Sequence, residues 1–333
     1  MKKVRIADRW VGPGEPALII AEAGSNHDRK LDQARALIDV AADAGADVIK
    51  FQLFRGELLY PRSSPSAAIL TGYELPREWL GDLADHAERR NIIFTATPFD
   101  HEAVDLLCKL GAPFLKWASP EIHDLPLLRY AARRGLPIVI STGMAELADV
   151  QAALAAMRAE GNDQIVVLHC SSLYPATAGQ VHLRMMDSLQ QAFDVPVGFS
   201  DHSDGIVIPA AAVARGACVV EKHFTLSRSL EGADHAFALE PADLKVMVRA
   251  IRDVEASLGD GAKHPLYGEE NLPLNNKSLV SSRAIPKGTV IAADMLTVKR
   301  ARSGIRPLHL DVVVGRRAAR DIAADEVLEW EAV

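Results

Sequence analysis

Short apolar strands alternate with amphipathic helices eight times, and nothing else in this chain of 333 residues restricts its fold as much. Strand-like runs fall at 18–21, 48–51, 92–95, 114–116, 138–141, 165–169, 197–200 and 219–222. Helical periodicity follows them at 31–44, 76–90, 102–110, 125–134, 147–160, 185–193, 206–215 and 241–258. Strict alternation implies parallel pairing, because a parallel neighbour is reached only through a crossover. A count of eight favours an α/β fold closed as a (β/α)8 TIM barrel. An open doubly wound sheet is the alternative, and the lack of a glycine-rich dinucleotide turn speaks against it.

A weak internal repeat supports the same reading. Gly45-Ala-Asp-Val-Ile-Lys50, Gly111-Ala-Pro-Phe-Leu-Lys116 and Gly216-Ala-Cys-Val-Val-Glu-Lys222 each close a helix on glycine and end a strand in lysine. The third strand is one residue longer, so Lys222 is expected to face away from the side that Lys50 and Lys116 share. Residues 4–16 read as a hairpin ahead of the barrel. The barrel domain is expected over 1–260, a Gly/Pro-bearing linker over 261–276, and a small β-rich domain over 277–333, with strands at 278–283, 290–291, 296–299 and 312–316.

Composition closes off several functions. Net charge is −7 with no basic cluster, which argues against nucleic acid. No apolar run reaches the ~18 residues of a membrane span, and the N-terminal residues carry no apolar signal core. Three cysteines, Cys108, Cys170 and Cys218, form no CxxC pair. They fit a reducing, cytoplasmic setting without structural zinc.

Chemistry in such a barrel sits at the C-terminal strand ends. Those ends carry Glu22 and Asn26-His27, Lys50 and Gln52, Thr95 and Thr97, and Lys116, Ser119 and Glu121. Further on come Ser141-Thr142, His169, Ser171, Ser172 and Tyr174, then Ser200 and His202, then Glu221 and His223. Each histidine taken singly is as well explained as a loop cap. If their strands are neighbours, ~4.8 Å apart, His202 and His223 reach one divalent ion and leave positions open on it. Two lysines with several hydroxyls suit phosphate and carboxylate, and the carboxylates suit proton transfer.

Several of these stretches carry a resemblance. Ala21-Glu-Ala-Gly-Ser-Asn-His27, Lys50-Phe-Gln52, Thr97-Pro-Phe99 and Lys116-Trp-Ala-Ser-Pro-Glu121 resemble landmarks of the N-acetylneuraminate (sialic acid) synthase family. So do Ser141-Thr-Gly-Met144, His169-Cys-Ser-Ser-Leu-Tyr-Pro175, Gly198-Phe-Ser-Asp-His202 and Glu221-Lys-His-Phe224. The tail 277–333, with Val298-Lys-Arg300, resembles that family's antifreeze-like (SAF) domain.

The resemblance implies a transferase that condenses phosphoenolpyruvate with an open-chain N-acylated hexosamine, N-acetylmannosamine or an analogue. Its products are a nine-carbon 2-keto sugar acid and phosphate. Phosphoenolpyruvate is expected on Lys50, Thr97, Lys116, Ser119, Ser141, Ser172 and Ser200, and the sugar on Gln52, Glu121, Tyr174, Asp234 and Arg300. His202 and His223 are expected to hold a divalent metal, Mn2+ being the expected ion. Glu22 and Glu221 would transfer protons or orient water and metal. A domain-swapped homodimer is also implied.

Asp28-Arg-Lys30, Ser172, Ala301 and a short 55–72 segment depart from the family's usual pattern. They spare the lysines and the histidine pair and bear on the sugar. The nearest rival is a synthase for a related acid of the legionaminic, pseudaminic or spore-coat type. A metal-dependent aldolase or isomerase would not need the lysines, and a non-catalytic carbohydrate-binding protein would not need the histidine pair.

Overall fold

The computed structural model describes residues 2–264, 267–269 and 276–333. It divides into two compact units, Met1–Gly259 and Asp260–Val333. The expected linker, 261–276, lies partly outside the described residues.

In the first unit an antiparallel hairpin, β1 (Val4–Ile6) and β2 (Arg9–Val11), precedes the barrel. Eight parallel strands follow: β3 (Leu18–Gly24), β4 (Val48–Leu53), β5 (Ile93–Pro98), β6 (Leu115–Trp117), β7 (Ile138–Ser141), β8 (Ile165–Cys170), β9 (Val197–Asp201) and β10 (Val219–His223). The helices behind them are α1 (Leu31–Ala44), α2 (Leu80–Arg89), α3 (His101–Leu110), α4 (Leu125–Ala132), α5 (Leu147–Ala159), α6 (Met185–Phe193), α7 (Val207–Ala214) and α8 (Pro241–Ser257). The ladder runs β5-β4-β3-β10-β9-β8-β7-β6. Its remaining seam, between β5 and β6, is bridged by Thr95 Oγ1 donating to the Phe114 carbonyl at 2.9 Å. The result is the nearly closed (β/α)8 barrel that the alternation predicts.

The strands are buried on both faces, and alternation sorts their side chains. Leu18, Ile20, Val48, Phe114, Val139, Val166, Leu168 and Val219 form an apolar plug, joined by Val4, Ile6 and Val11 of the hairpin. Their neighbours Ile19, Ala21, Ile49, Phe51, Leu115 and Val220 pack with the helices instead. Further along the same inward rows the residues turn polar: Glu22 after Ile20, Lys50 after Val48, Lys116 after Phe114, Ser141 after Val139 and Glu221 after Val219. The plug thus forms the floor of the site, and the polar residues stand above it.

The structure adds detail that the periodicity does not show. Residues 76–90 split into a 3-10 turn, Arg77–Trp79, and α2. Short helices form at Gly56–Leu59 and Pro65–Thr71, the second capped by Ser64 with Pro65 at its first position. Another lies at Ala178–Val181.

In the second unit β11 (Lys277–Ser281) pairs antiparallel with β12 (Leu296–Arg300) over a core of Leu279, Ile285, Ile291, Ile305, Val313 and Leu328. The strand expected at 290–291 is reduced to an isolated bridge, Val290 to Arg317. The strand expected at 312–316 is absent. Its place is taken by a helical turn, Leu310–Val313, that follows a 3-10 turn opened by Pro307. Helical winding puts Leu310 and Val313, three apart, on one core-facing side. A strand would have split Val312 and Val313 between two faces.

Candidate active site

A single hydrogen-bonded network joins seven strand ends. Lys50 lies 2.7 Å from Glu22 and 3.7 Å from Glu221, and it donates to Thr97 Oγ1 at 2.9 Å. Lys116 lies 3.3 Å from Glu221 and donates to Ser141 Oγ at 2.7 Å. Ser200 Oγ donates to Glu221 at 2.9 Å, and Gln52 Nε2 donates to Glu22 at 2.8 Å. Both lysines and both glutamates are buried, so each charge depends on its partners.

The two carboxyls are held differently. Burial pushes Glu22 up to about 7 against the pull of its one cation, Lys50. Burial also opposes ionisation of Glu221, but Lys116, Lys50 and the Ser200 hydroxyl overrule it and hold that carboxyl down at about 2. Two acidic groups with separated affinities are the usual arrangement of a proton carrier beside a fixed anion. Burial holds Lys116 below the ordinary lysine range, whereas Glu22 and Glu221 outweigh burial at Lys50 and keep it above.

His202, just past β9, and His223, the last residue of β10, face each other with ring centroids 5.4 Å apart. Burial, reinforced by the neighbouring imidazole, pushes His202 down to about 4, and burial lowers His223 as well. Both rings are therefore neutral at pH 7. His202 Nδ1 sits 2.7 Å from the Ser171 carbonyl and must donate to it, which leaves Nε2 with a free lone pair. His223 Nδ1 is buried without a hydrogen-bond partner. These donors fit a divalent ion. No group of three or more His, Cys, Asp or Glu suited to a metal occurs among the described residues, so the ion's other positions would fall to water and substrate oxygens.

The remaining candidates of the first unit lie on the loops that follow β6, β8 and β10. Tyr174 stacks on His202 at 4.0 Å, and Phe237 packs at 5.1 Å against His223. Ser119 Oγ accepts from the Gly143 N–H at 2.9 Å, and the Ser172 hydroxyl closes on the same glycine. Asp234 Oδ2 accepts from the Ser25 N–H and hydroxyl at 3.2 and 3.1 Å. That approach requires Gly24, whose φ is +54° and whose absent Cβ would lie 2.5 Å from Asp234 Oδ2 and 3.5 Å from His223 Cε1. Glu121 enters on the 3-10 turn Pro120–His123, its carboxyl pushed up by burial and then by Asp124. Arg300 is exposed on β12 of the second unit.

Some members lie beyond the sequence expectation. Lys222 does face the other way, buried against Asp201 at 2.6 Å. Asp201 Oδ1 in turn accepts from the Ser203 N–H at 2.9 Å. The pair brackets His202 and adjoins His223 from behind the sheet. Alternation could have exposed it, since Lys222 and Asp201 are direct cross-strand partners. Asn26 and His27 serve the loop: Asn26 donates to the Phe224 carbonyl at 2.8 Å, and His27 Nδ1 accepts from the Arg29 N–H at 3.0 Å.

Fold and mouth define a (β/α)8-barrel enzyme of the sialic acid synthase type, followed in the chain by a small β module. Residues 37–263 match the NeuB family model and 276–333 match the SAF domain model. The chain belongs to the NeuB family. It is 40% identical over 328 residues to the N,N'-diacetyllegionaminic acid synthase of Campylobacter jejuni, covering 93% of this chain and 98% of that one. It is likewise 40% identical over 363 residues to the spore coat polysaccharide biosynthesis protein SpsE of Bacillus subtilis, covering 99% and 97%. The solved N-acetylneuraminic acid (sialic acid) synthetase of Leptospira borgpetersenii superposes with a TM-score of 0.77 at 34% identity, covering 81% of this chain and 94% of that one.

Proposed function

We propose that the barrel joins C3 of phosphoenolpyruvate to the aldehyde carbon of an open-chain N-acylated hexosamine, giving a nine-carbon 2-keto acid and phosphate. The observation that carries this is the shared network of two buried lysines and two unequal carboxylates beside a neutral histidine pair. Lys50 and Lys116, with Thr97, Ser119, Ser141, Ser172 and Ser200, hold the anionic donor by charge-assisted hydrogen bonds. Gln52, Glu121, Tyr174 and Asp234 hold the sugar. A divalent ion on His202 and His223, Mn2+ in this reading, would supply Lewis-acid polarisation of the aldehyde oxygen.

As the carbon–carbon bond forms, positive charge develops at C2 of the donor, and the fixed anion Glu221 stabilises it. Water adds at C2 and gives one proton to Glu22, whose affinity near neutrality suits that transfer. That proton passes on to the oxygen of the former aldehyde, and the second water proton leaves with phosphate. The C2–O bond to phosphate then breaks, which leaves the 2-keto acid. The plug beneath and the aromatic wall of Tyr174 and Phe237 limit entry of other water.

Two features of the reading rest on the family resemblance: a homodimer, and the use of Arg300 on the sugar in the partner chain's site. No helix among the described residues is long and apolar enough to cross a membrane. The three cysteines are free, and we place the enzyme in the cytoplasm.

N-acetylmannosamine or a close analogue is the proposed acceptor. The second reading, a legionaminic-type or spore-coat acid, is favoured by the 40% identity to those two relatives. Phosphate release from phosphoenolpyruvate across a panel of N-acylated hexosamines tests both, with a chelator arm restored by Mn2+. No phosphate with any sugar would refute the reaction, and full turnover in excess chelator would refute the metal.

A further inference from the structure

The loops that leave β3 and β10 interlock through two aspartates, each inserted into the other's loop. The β10 loop is closed at its base, where Thr225 N–H donates to the Leu239 carbonyl and Leu239 N–H to the His223 carbonyl, both at 2.9 Å. From its tip Asp234 reaches the end of β3 and takes both hydrogen bonds from Ser25 through Oδ2, so Oδ1 stays outside those bonds. In the opposite direction, Asp28 reaches from the β3 loop to the next residue of that tip. Its Oδ1 accepts from His235 Nε2 at 3.0 Å and its Oδ2 from Gln33 Nε2 at 2.5 Å.

His235 is 0% exposed, and its other nitrogen is 2.6 Å from the Thr225 hydroxyl. Gly232 lies flat against the junction, where a Cβ would come within 2.6 Å of the His235 ring and 3.1 Å of Asp28 Oδ1. Asp28 and Arg29 both adopt left-handed backbone, with φ of 48° and 53°. Arginine rarely takes that conformation, so something must hold the turn. The Asp28 carboxylate, bonded to His235 and Gln33, does so, together with Arg29 donating to the Thr71 carbonyl at 2.9 Å.

We propose that Asp28 is a positioning residue for sugar affinity. Through His235 it fixes the loop tip, so that Asp234 presents a carboxylate oxygen beside His223. The proposal rests on the reading that Asp234 binds the amino sugar, whose hydroxyl and amide N–H groups are the donors a carboxylate recognises. Asp28 itself touches neither substrate. The donor's lysines stand on other strands, β4 and β6, so the effect is confined to the acceptor.

The test compares wild type, Asp28→Ala and Asp28→Asn, the last of which keeps an acceptor oxygen for His235. Amide hydrogen exchange over residues 225–239 is measured without substrate. KM for N-acetylmannosamine and for phosphoenolpyruvate is measured by phosphate release. In Asp28→Ala the loop should exchange faster and the sugar KM should rise about three- to tenfold, with the phosphoenolpyruvate KM unchanged. Asp28→Asn should recover most of both effects. Unchanged exchange in a folded Asp28→Ala enzyme overturns the proposal, as does an equal rise in both KM values. A wild type that releases no phosphate with any amino sugar removes the reading of Asp234 instead, and the exchange result still decides whether Asp28 holds the loop.

Discussion

Replacing Lys222 by methionine should destabilise the barrel without touching the mouth. The change strands the Asp201 carboxylate behind the sheet, where both side chains are at most 2% exposed. It also removes the donor to the Ser203 carbonyl. Breaking a buried pair from one side costs about 3–5 kcal/mol, because the surviving charge stays desolvated. For a barrel of this size each kcal/mol lowers the unfolding midpoint by roughly 2–4 °C, so the fall should be about 6–20 °C. Asp201→Asn in the same chain keeps the acceptor for the Ser203 N–H and removes the stranded charge. The double variant Lys222→Met/Asp201→Asn should therefore regain most of the loss. Scanning calorimetry of the wild type, the two single variants and the double variant measures the coupling. The reasoning fails if Lys222→Met lies within about 1 kcal/mol of wild type, or if the double variant is no better than the single.

Lys50→Met and Lys116→Met should each raise the KM for phosphoenolpyruvate roughly ten- to a hundredfold, the worth of one charge-assisted contact, and affect the sugar far less. Unchanged donor affinity in both would show that the lysines serve only their glutamates. Glu22 accepts a proton only when ionised, so turnover should climb with pH as it titrates near 7, where burial has pushed it. Glu22→Gln should abolish that limb, and the same limb in the residual activity would assign it to another group. Co-refolding inactive His202→Ala with inactive Arg300→Ala should return roughly a quarter of wild-type activity if the second unit completes the partner's site. Mixed dimers with no activity would refute the exchange.

Much of the site could be read before any coordinates. The inward rows switch from apolar to polar at one height, and Ile20-Ala-Glu22, Val48-Ile-Lys50 and Val219-Val-Glu221 show it residue by residue. The prediction that Lys222 departs from the other two lysines followed from one extra residue in its strand, and it holds. The tail was read less well. Val312, Val313 and Val314 carry the composition of a strand, but the Pro307 turn and the burial of Leu310 with Val313 made a helical turn of them. Strand propensity is a weak preference that local packing overrides.

Period, parity and strand count are properties of the chain read along its length, so the sequence by itself determined the barrel and which side chains enter its mouth. It could not assign partners. Glu22, Lys50 and Glu221 stand on β3, β4 and β10, consecutive strands of the ladder, but Lys116 on β6 reaches Glu221 only when the sheet curves round on itself. Closure places Glu221 near two lysines and leaves Glu22 with one cation, and that difference separates their proton affinities. Tertiary structure alone likewise decided that Asp234 enters at Gly24 and Asp28 at Gly232. Loop meets loop there across some 200 positions of chain, a contact set by packing and hydrogen bonding that no local pattern encodes.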